Sequence, residues 1–276
     1  SFRISDRTAP STTVVAGFSA FGLAGLTAAD YLVDHLDLEE TGHVSADSLP
    51  SITPFESGRP RHHSRFFSRP DLDLTVFVNE LFLPTWAADP FAEALLDWTD
   101  GHGVSEILVL AGIPYAHGPD AHDTFYVASD DYRERRLAGT DIDPMGKGFL
   151  DGVNGALMYR GIESDLRTAV FITPVHAQVP DVPAKALVLR RLGETCYSLR
   201  MRTAAMRLLS QALPTTTAHS RSRSSRRRPT RRCTSRRRRA TTSASTPTRS
   251  SNRSSAPPTS STPPWRSRAP KGRSRT

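Results

Sequence analysis

Three short stretches hold the residue types that can do chemistry. The first, Gly17-Phe18-Ser19-Ala20-Phe21-Gly22, places a serine between glycines. A nucleophile elbow of the G-x-S-x-G kind needs its second glycine two residues after the serine, and here Phe21 stands there with Gly22 one place late. Gly17 and Gly22 also have the outer spacing of a phosphate loop, but Leu23-Ala24 occupy the places where Lys and Ser/Thr hold phosphate and Mg²⁺. Ser19 takes the middle glycine of a dinucleotide fingerprint. The glycines therefore read as a tight turn that lets a helix approach a sheet, and Ser19 as a helix N-cap.

The second stretch, residues 117–123, brings His117, Asp120, His122 and Asp123 within seven residues. Gly118-Pro119 make it a turn, the spacing fits no zinc pattern, and one short loop seldom closes a coordination shell, so a solvated loop without metal is expected. In the third, His62-His63 lie between Arg61 and Arg65, a charged edge that blunts strand pairing rather than an anion site. No cofactor is expected from any of the three.

The elements that must position these residues are legible from periodicity. Residues 12–16 read as a buried strand, and after the turn Leu23, Leu26, Ala29, Leu32, Val33 and Leu36 recur at helical spacing. Residues 42–67, rich in Ser, Pro and His, suit short edge strands at 52–55 and 62–66. A buried strand at 72–78, a helix at 90–101 with Phe91, Ala94, Leu95 and Trp98 inward, and a strand at 107–110 then read as a β-α-β unit. A strand at 124–128, a helix at 148–160 and a last strand at 169–172 complete the order. This alternation predicts an α/β fold, a mostly parallel or mixed sheet flanked by helices, with ligands at the C-terminal strand edge.

Charge divides the chain in two. Residues 1–184 hold 12 Lys+Arg against 27 Asp+Glu, net −15, whereas residues 185–276 hold 24 against 1, net +23. In the first part Lys147 is the sole lysine and aspartates outnumber glutamates 19 to 8, a bias suited to a salt-rich cytoplasm. Such self-repulsion weakens as the Debye length falls to about 3 Å at 1 M salt, so stability should rise with salt. Both cysteines, Cys196 and Cys233, lie in the basic part, and no run of about 18 apolar residues or export pattern occurs. A cytoplasmic protein with no membrane contact is expected.

Residues 1–184 thus form one α/β domain, and residues 185–276 an Arg/Ser/Thr/Pro-rich tail with little to bury. Two readings of the tail stay open. It is an arm that binds nucleic acid or another polyanion by counterion release. Alternatively it is a shifted reading frame, which turns the GAC and GAG codons of an acidic, GC-rich gene into Thr and Arg codons; the composition favours this second reading.

Several segments, in order, resemble the proteasome assembly chaperone 2 family in its haloarchaeal form. They are residues 17–25, the acidic segment 39–44, Leu49-Pro50 with Ile52-Thr53-Pro54-Phe55, Val78-Asn79-Glu80, 103–112, 146–149, 152–157 and Thr173-Pro174-Val175-His176. The match spans most of residues 10–185. It implies a nucleoside-phosphorylase-like three-layer fold, homo-oligomerisation and binding to proteasome α-subunits. Binding-loop candidates are then Gly17, Phe18, Ser19, Phe21, Gly22, Asn79, Glu80, Gly112, Gly146, Gly148, Thr173 and His176. Some members dock through a C-terminal hydrophobic-Tyr-any motif, whereas this chain ends Gly272-Arg273-Ser274-Arg275-Thr276. The alternative is a small-molecule hydrolase or phosphorylase-like enzyme at the edge made by residues 17–22, 112–123 and 173–176.

Overall fold

In chain order the elements are β1 (Phe2–Asp6), β2 (Thr13–Phe18), a 3-10 turn (Phe21–Leu23), α1 (Ala24–His35), β3 (Glu39–Ala46), β4 (Phe55–Glu56), β5 (Arg59–Pro60), β6 (Ser64–Arg69) and β7 (Leu74–Asn79). There follow α2 (Thr85–Gly101), β8 (Glu106–Pro114), β9 (Phe125–Ala128), α3 (Asp130–Tyr132) with a π-helical turn (Arg133–Leu137), β10 (Asp143–Pro144), α4 (Gly152–Ile162) and β11 (Arg167–Val175). This computed structural model describes residues 1–176 except Ser48, Pro70 and 116–122, together with Leu189, Arg190 and Leu192. Among the described residues no helix is long and apolar enough to cross a membrane.

The main sheet runs β1-β3-β6-β7-β2-β8-β11-β9-β10. Its centre, β7-β2-β8-β11, is parallel. The wing β6-β3-β1 and strand β9 are antiparallel to their inner neighbours. The sheet is therefore mixed, and the expected β-α-β unit is corrected in one respect: β2 lies between β7 and β8, so α2 carries the chain across one strand.

Alternation along the central strands builds two cores. Val15, Val76, Leu108, Leu110, Ala169 and Phe171 face α1, joined by Tyr132 and Leu137 and by the buried Leu189 and Leu192. Val14, Ala16, Phe77, Ile107, Val109, Val170 and Ile172 face α2 and α4. Period-two exchange of neighbours between faces is what a strand buried on both sides must do. The result is three layers.

The helices depart from their expected ends for local reasons. α1 buries Ala24, Gly25, Ala28 and Ala29 more fully than Leu23, Leu26 or Val33. Small residues face inward because the helix backbone lies close against β8: a side chain added at Gly25 would overlap the Leu110 carbonyl oxygen. α2 starts at Thr85 and carries Pro90 inside on its exposed face, where Ala87, Ala88, Phe91, Ala92 and Leu95 keep the inward periodicity unbroken. α4 starts at Gly152, whose φ of +54° ends the preceding loop, rather than at 148.

Candidate functional site

The parallel strands β2, β7 and β8 end side by side, and a cavity of about 130 Å³ opens there. Phe18 lines it from the end of β2, Ser19 and Phe21 from the turn that follows, and Asn79 and Phe82 from the end of β7 and its loop. Gly112 of β8 and the start of α4 from Asp151 to Asn154 complete the wall. Five of the expected loop residues, Phe18, Ser19, Phe21, Asn79 and Gly112, are thus brought together.

Asn79 organises this edge. It is 1% exposed. Its backbone carbonyl accepts the Ser19 N–H at 2.9 Å, and its side-chain Nδ2 donates to the Leu81 carbonyl at 2.6 Å. Its Oδ1 accepts the Ser64 hydroxyl at 2.6 Å. Since that hydroxyl has one proton and spends it on Asn79, the 2.7 Å contact to His63 requires Nδ1–H of His63 to donate to Ser64 Oγ. Asn79 therefore ties together β6, the β2 loop and the turn that presents Phe82.

Gly17 lies in β2 and Gly22 in the 3-10 turn. Gly22 has φ +65° and packs on Val175, and Leu23 follows at φ +50°. Two successive left-handed residues, one of them a leucine, cost about 1 kcal/mol or more and turn the chain sharply from β2 into α1. The N-cap positions are Ala20 and Leu23, without side-chain capping, so Ser19 is not the cap that its sequence context suggests. The Ser19 hydroxyl has no hydrogen-bond partner among the described residues.

The other candidates lie elsewhere. Glu80 turns away to Arg61 and Arg65, at 2.7 and 2.6 Å. Gly146 and Gly148 are exposed and do not line the cavity. Thr173 is buried and donates to the Asp123 carbonyl at 2.9 Å, and His176 is exposed just past β11. His117, Asp120 and His122 lie outside the described residues. Among those described, no three His, Cys, Asp or Glu side chains are placed to share a metal ion.

Sequence periodicity missed the aromatic rim. Phe21, Phe82 and Trp86 are 54%, 67% and 62% exposed, and Phe149, shortly before α4, is fully exposed. Phe21 and Phe82 line the cavity, Trp86 follows the lining residue Thr85, and Phe149 precedes the lining residue Asp151 by two. Exposed aromatics leave no periodic trace; the signal available was Phe82-Leu83-Pro84-Thr85-Trp86 directly after a buried strand. The first turns of α1, α2 and α4 carry neither an acidic residue nor a side-chain cap.

One carboxyl near this edge is out of balance. Asp30 of α1 is pushed up to about 6, first by burial and then by Glu80, with Arg65 opposing. A raised carboxyl contributes stability below the unfolded value, near 4, and loses it as pH rises through 6. Asp30→Asn should therefore stabilise the domain at pH 7.5 by about 1 kcal/mol, the full shift being discounted because the group is partly solvated. Urea midpoints at pH 7.5 and 4 check this: the gain should vanish at pH 4, and an equal gain at both would refute it.

Fold and cavity together define a three-layer α/β protein whose concave surface lies at the C-terminal edge of its parallel strands. The chain belongs to the PAC2 family, whose pattern matches residues 14–213. The family read from the ordered sequence segments is thus confirmed at the level of PAC2 membership.

Solved structures share the fold. Pyrococcus furiosus PbaA, described as an archaeal homolog of proteasome-assembly chaperone, is 20% identical with a TM-score of 0.67, over 76% of this chain and 87% of that one. Pyrococcus furiosus PbaB, described as an archaeal proteasome activator, is 15% identical with a TM-score of 0.61, over 76% and 95%. A Thermoplasma acidophilum protein of unknown function is 22% identical with a TM-score of 0.62, over 75% and 86%. A search of the curated proteins finds no match.

Proposed function

We propose that this chain is a proteasome-assembly-chaperone-like binding protein, a cytoplasmic homo-oligomer that engages proteasome α-subunits through the aromatic edge around its cavity. The observation that carries this reading is the exposure of Phe21, Phe82, Trp86 and Phe149 on or next to the three segments that line the cavity of an otherwise acidic domain. Scattered exposed apolar residues are ordinary, but several aromatics converging on a cavity mark a contact surface. Membership of the PAC2 family and the fold shared with PbaA and PbaB support the choice of client.

The test is capture of purified α-subunits by the full chain in 1 M KCl, where screening suppresses non-specific attraction to the Arg-rich tail. The double substitution Phe21→Asp and Phe82→Asp should weaken capture at least tenfold while leaving the melting temperature within a few degrees, since both side chains are exposed. Sedimentation of the same samples reads self-association. Undiminished capture by the variant, or none by the unaltered chain, would overturn the reading.

A further inference from the structure

α1 packs on β2, β7 and β8. Beyond them, on the same face of the sheet, His43 of β3 and Arg65 of β6 are register partners. The chain linking these two strands folds back there: β4 and β5 pair only with each other, and His62, just past β5, stacks on His43. The ring centroids are 3.6 Å apart and the planes 5° from parallel.

Apolar burial does little to hold this connection, since Ile52 and Phe55 are 53% and 74% exposed. Its described attachments are polar. Besides the stack, Arg61 pairs with Glu80 at 2.7 Å and the Glu80 N–H donates to the His63 carbonyl at 2.8 Å. Within the connection the Arg61 N–H donates to the Pro54 carbonyl at 2.9 Å.

Charged residues sit on every element around the stack, and of these Glu40 and Arg7 act on His43. Arg7 follows β1, Glu40 lies on β3 and Arg65 on β6, while Glu56, Arg59 and Arg61 belong to the connection and Glu80 to the end of β7. Asp30 and Asp34 of α1 border the Arg61–Arg65–Glu80 group. Glu80 is shared by Arg61 and Arg65, and Glu40 by Arg7 and Arg65, so neither carboxylate is in reserve for new cations.

We propose that residues 50–63 are an acid-released strap, held over the β3–β6 face by the stack of His62 on His43 and freed when the His43 ring takes up a proton. Burial, and then His62, hold the His43 imidazole below its usual range, with Glu40 opposing. Burial and His62 do the same to His63, with Glu80 opposing. A depressed histidine favours the folded arrangement while neutral and withdraws that support as pH falls. Asp30 acts the other way, because a carboxyl raised to about 6 favours the folded arrangement once it is protonated. Release then requires that the cations acid adds on His43 and His63, beside the arginines, outweigh the gain from neutral Asp30.

Hydrogen exchange of the full chain in 1 M KCl at pH 7.5 and 5.0, corrected for intrinsic rates, tests the strap. Protection of the Arg61 and Glu80 amides should fall at least tenfold at pH 5.0, with the amides of residues 108–110 in β8 unaffected. His43→Phe with His62→Phe keeps a stack that cannot titrate and should hold protection at both pH values. His62→Lys, at an exposed position, should open the strap already at pH 7.5. Unchanged protection in the unaltered chain, equal loss in the Phe variant, a closed strap in His62→Lys, or loss that spreads to β8 would each overturn the proposal.

Discussion

Gly25→Ala should destabilise the domain by about 3 kcal/mol, although the same exchange in a free helix gains about 1. The added methyl would fall against the Leu110 carbonyl oxygen, with the Leu110 carbonyl carbon 2.7 Å and the Ala111 nitrogen 3.4 Å away. These are backbone atoms of β8, which is paired with β2 on one side and β11 on the other, so the strand cannot yield without disturbing both ladders. The helix cannot yield freely either. Gly17 of β2 lies against the Gly25 carbonyl, and a methyl there would come 2.5 Å from the Ala29 Cβ. With urea slopes of about 1–3 kcal/mol per molar, the midpoint should drop by about 1 M or more in 1 M KCl. Gly101→Ala is the control, because its methyl meets nothing within 4 Å and should be neutral or slightly stabilising. A Gly25→Ala midpoint equal to that of the unaltered chain would show that α1 does not rest on β8 as described.

The same close approach explains which parts of the fold were legible. β2, β7, β8 and β11 announce themselves as β-branched and Leu-rich runs because they are buried on both faces, and α2 through its wide apolar stripe. α1 was found from its leucines, yet the contact that places it is made by glycine and alanine, which carry little hydrophobic signal. β1 escaped because only Phe2 and Ile4 of its five residues turn inward. The antiparallel wing escaped because periodicity gives no strand direction; residues 70–73, too short for a crossover, force β6 and β7 to run opposite ways.

At the candidate site, turn glycines and family-like segments pointed to one strand edge, and the fold brings Ser19, Asn79 and Gly112 together there. They also drew in Glu80, one residue past Asn79, whose side chain goes to the other face. In extended chain successive side chains alternate, and a motif read as a block cannot separate such neighbours. Asn79 itself had no distinctive signature. Its importance lies in three hydrogen bonds to segments far apart in sequence or turning sharply, and only the folded arrangement shows them.

Glu106→Gln should cost about 3 kcal/mol and loosen a segment that its sequence gave little reason to call structured. Residues 130–137 read Asp-Asp-Tyr-Arg-Glu-Arg-Arg-Leu, with only Tyr132 and Leu137 to bury, yet they form α3 and the π-helical turn. The missing support is electrostatic. Glu106, 1% exposed at the start of β8, accepts from Arg136 Nε at 3.2 and 3.0 Å and from Arg136 Nη2 at 2.9 Å. It also accepts from Arg167 Nε at 2.8 Å, across the β8–β11 register. One carboxylate thus holds two guanidiniums, and removing its charge weakens the hold on both. Breaking a buried pair costs about 3–5 kcal/mol; the arginine side chains remain 23% and 18% exposed, which argues for the lower end. A cycle of Glu106→Gln, Arg136→Gln and the double substitution, followed by urea unfolding, should therefore give a coupling of about 2 kcal/mol, shrinking in molar salt as screening replaces the lost charge. Hydrogen exchange should show the Arg133 amide, bonded to the Ser129 carbonyl at 3.0 Å, opening before the central strands. A coupling near zero would mean that Tyr132 and Leu137 alone anchor the segment and that the ion cluster merely decorates it.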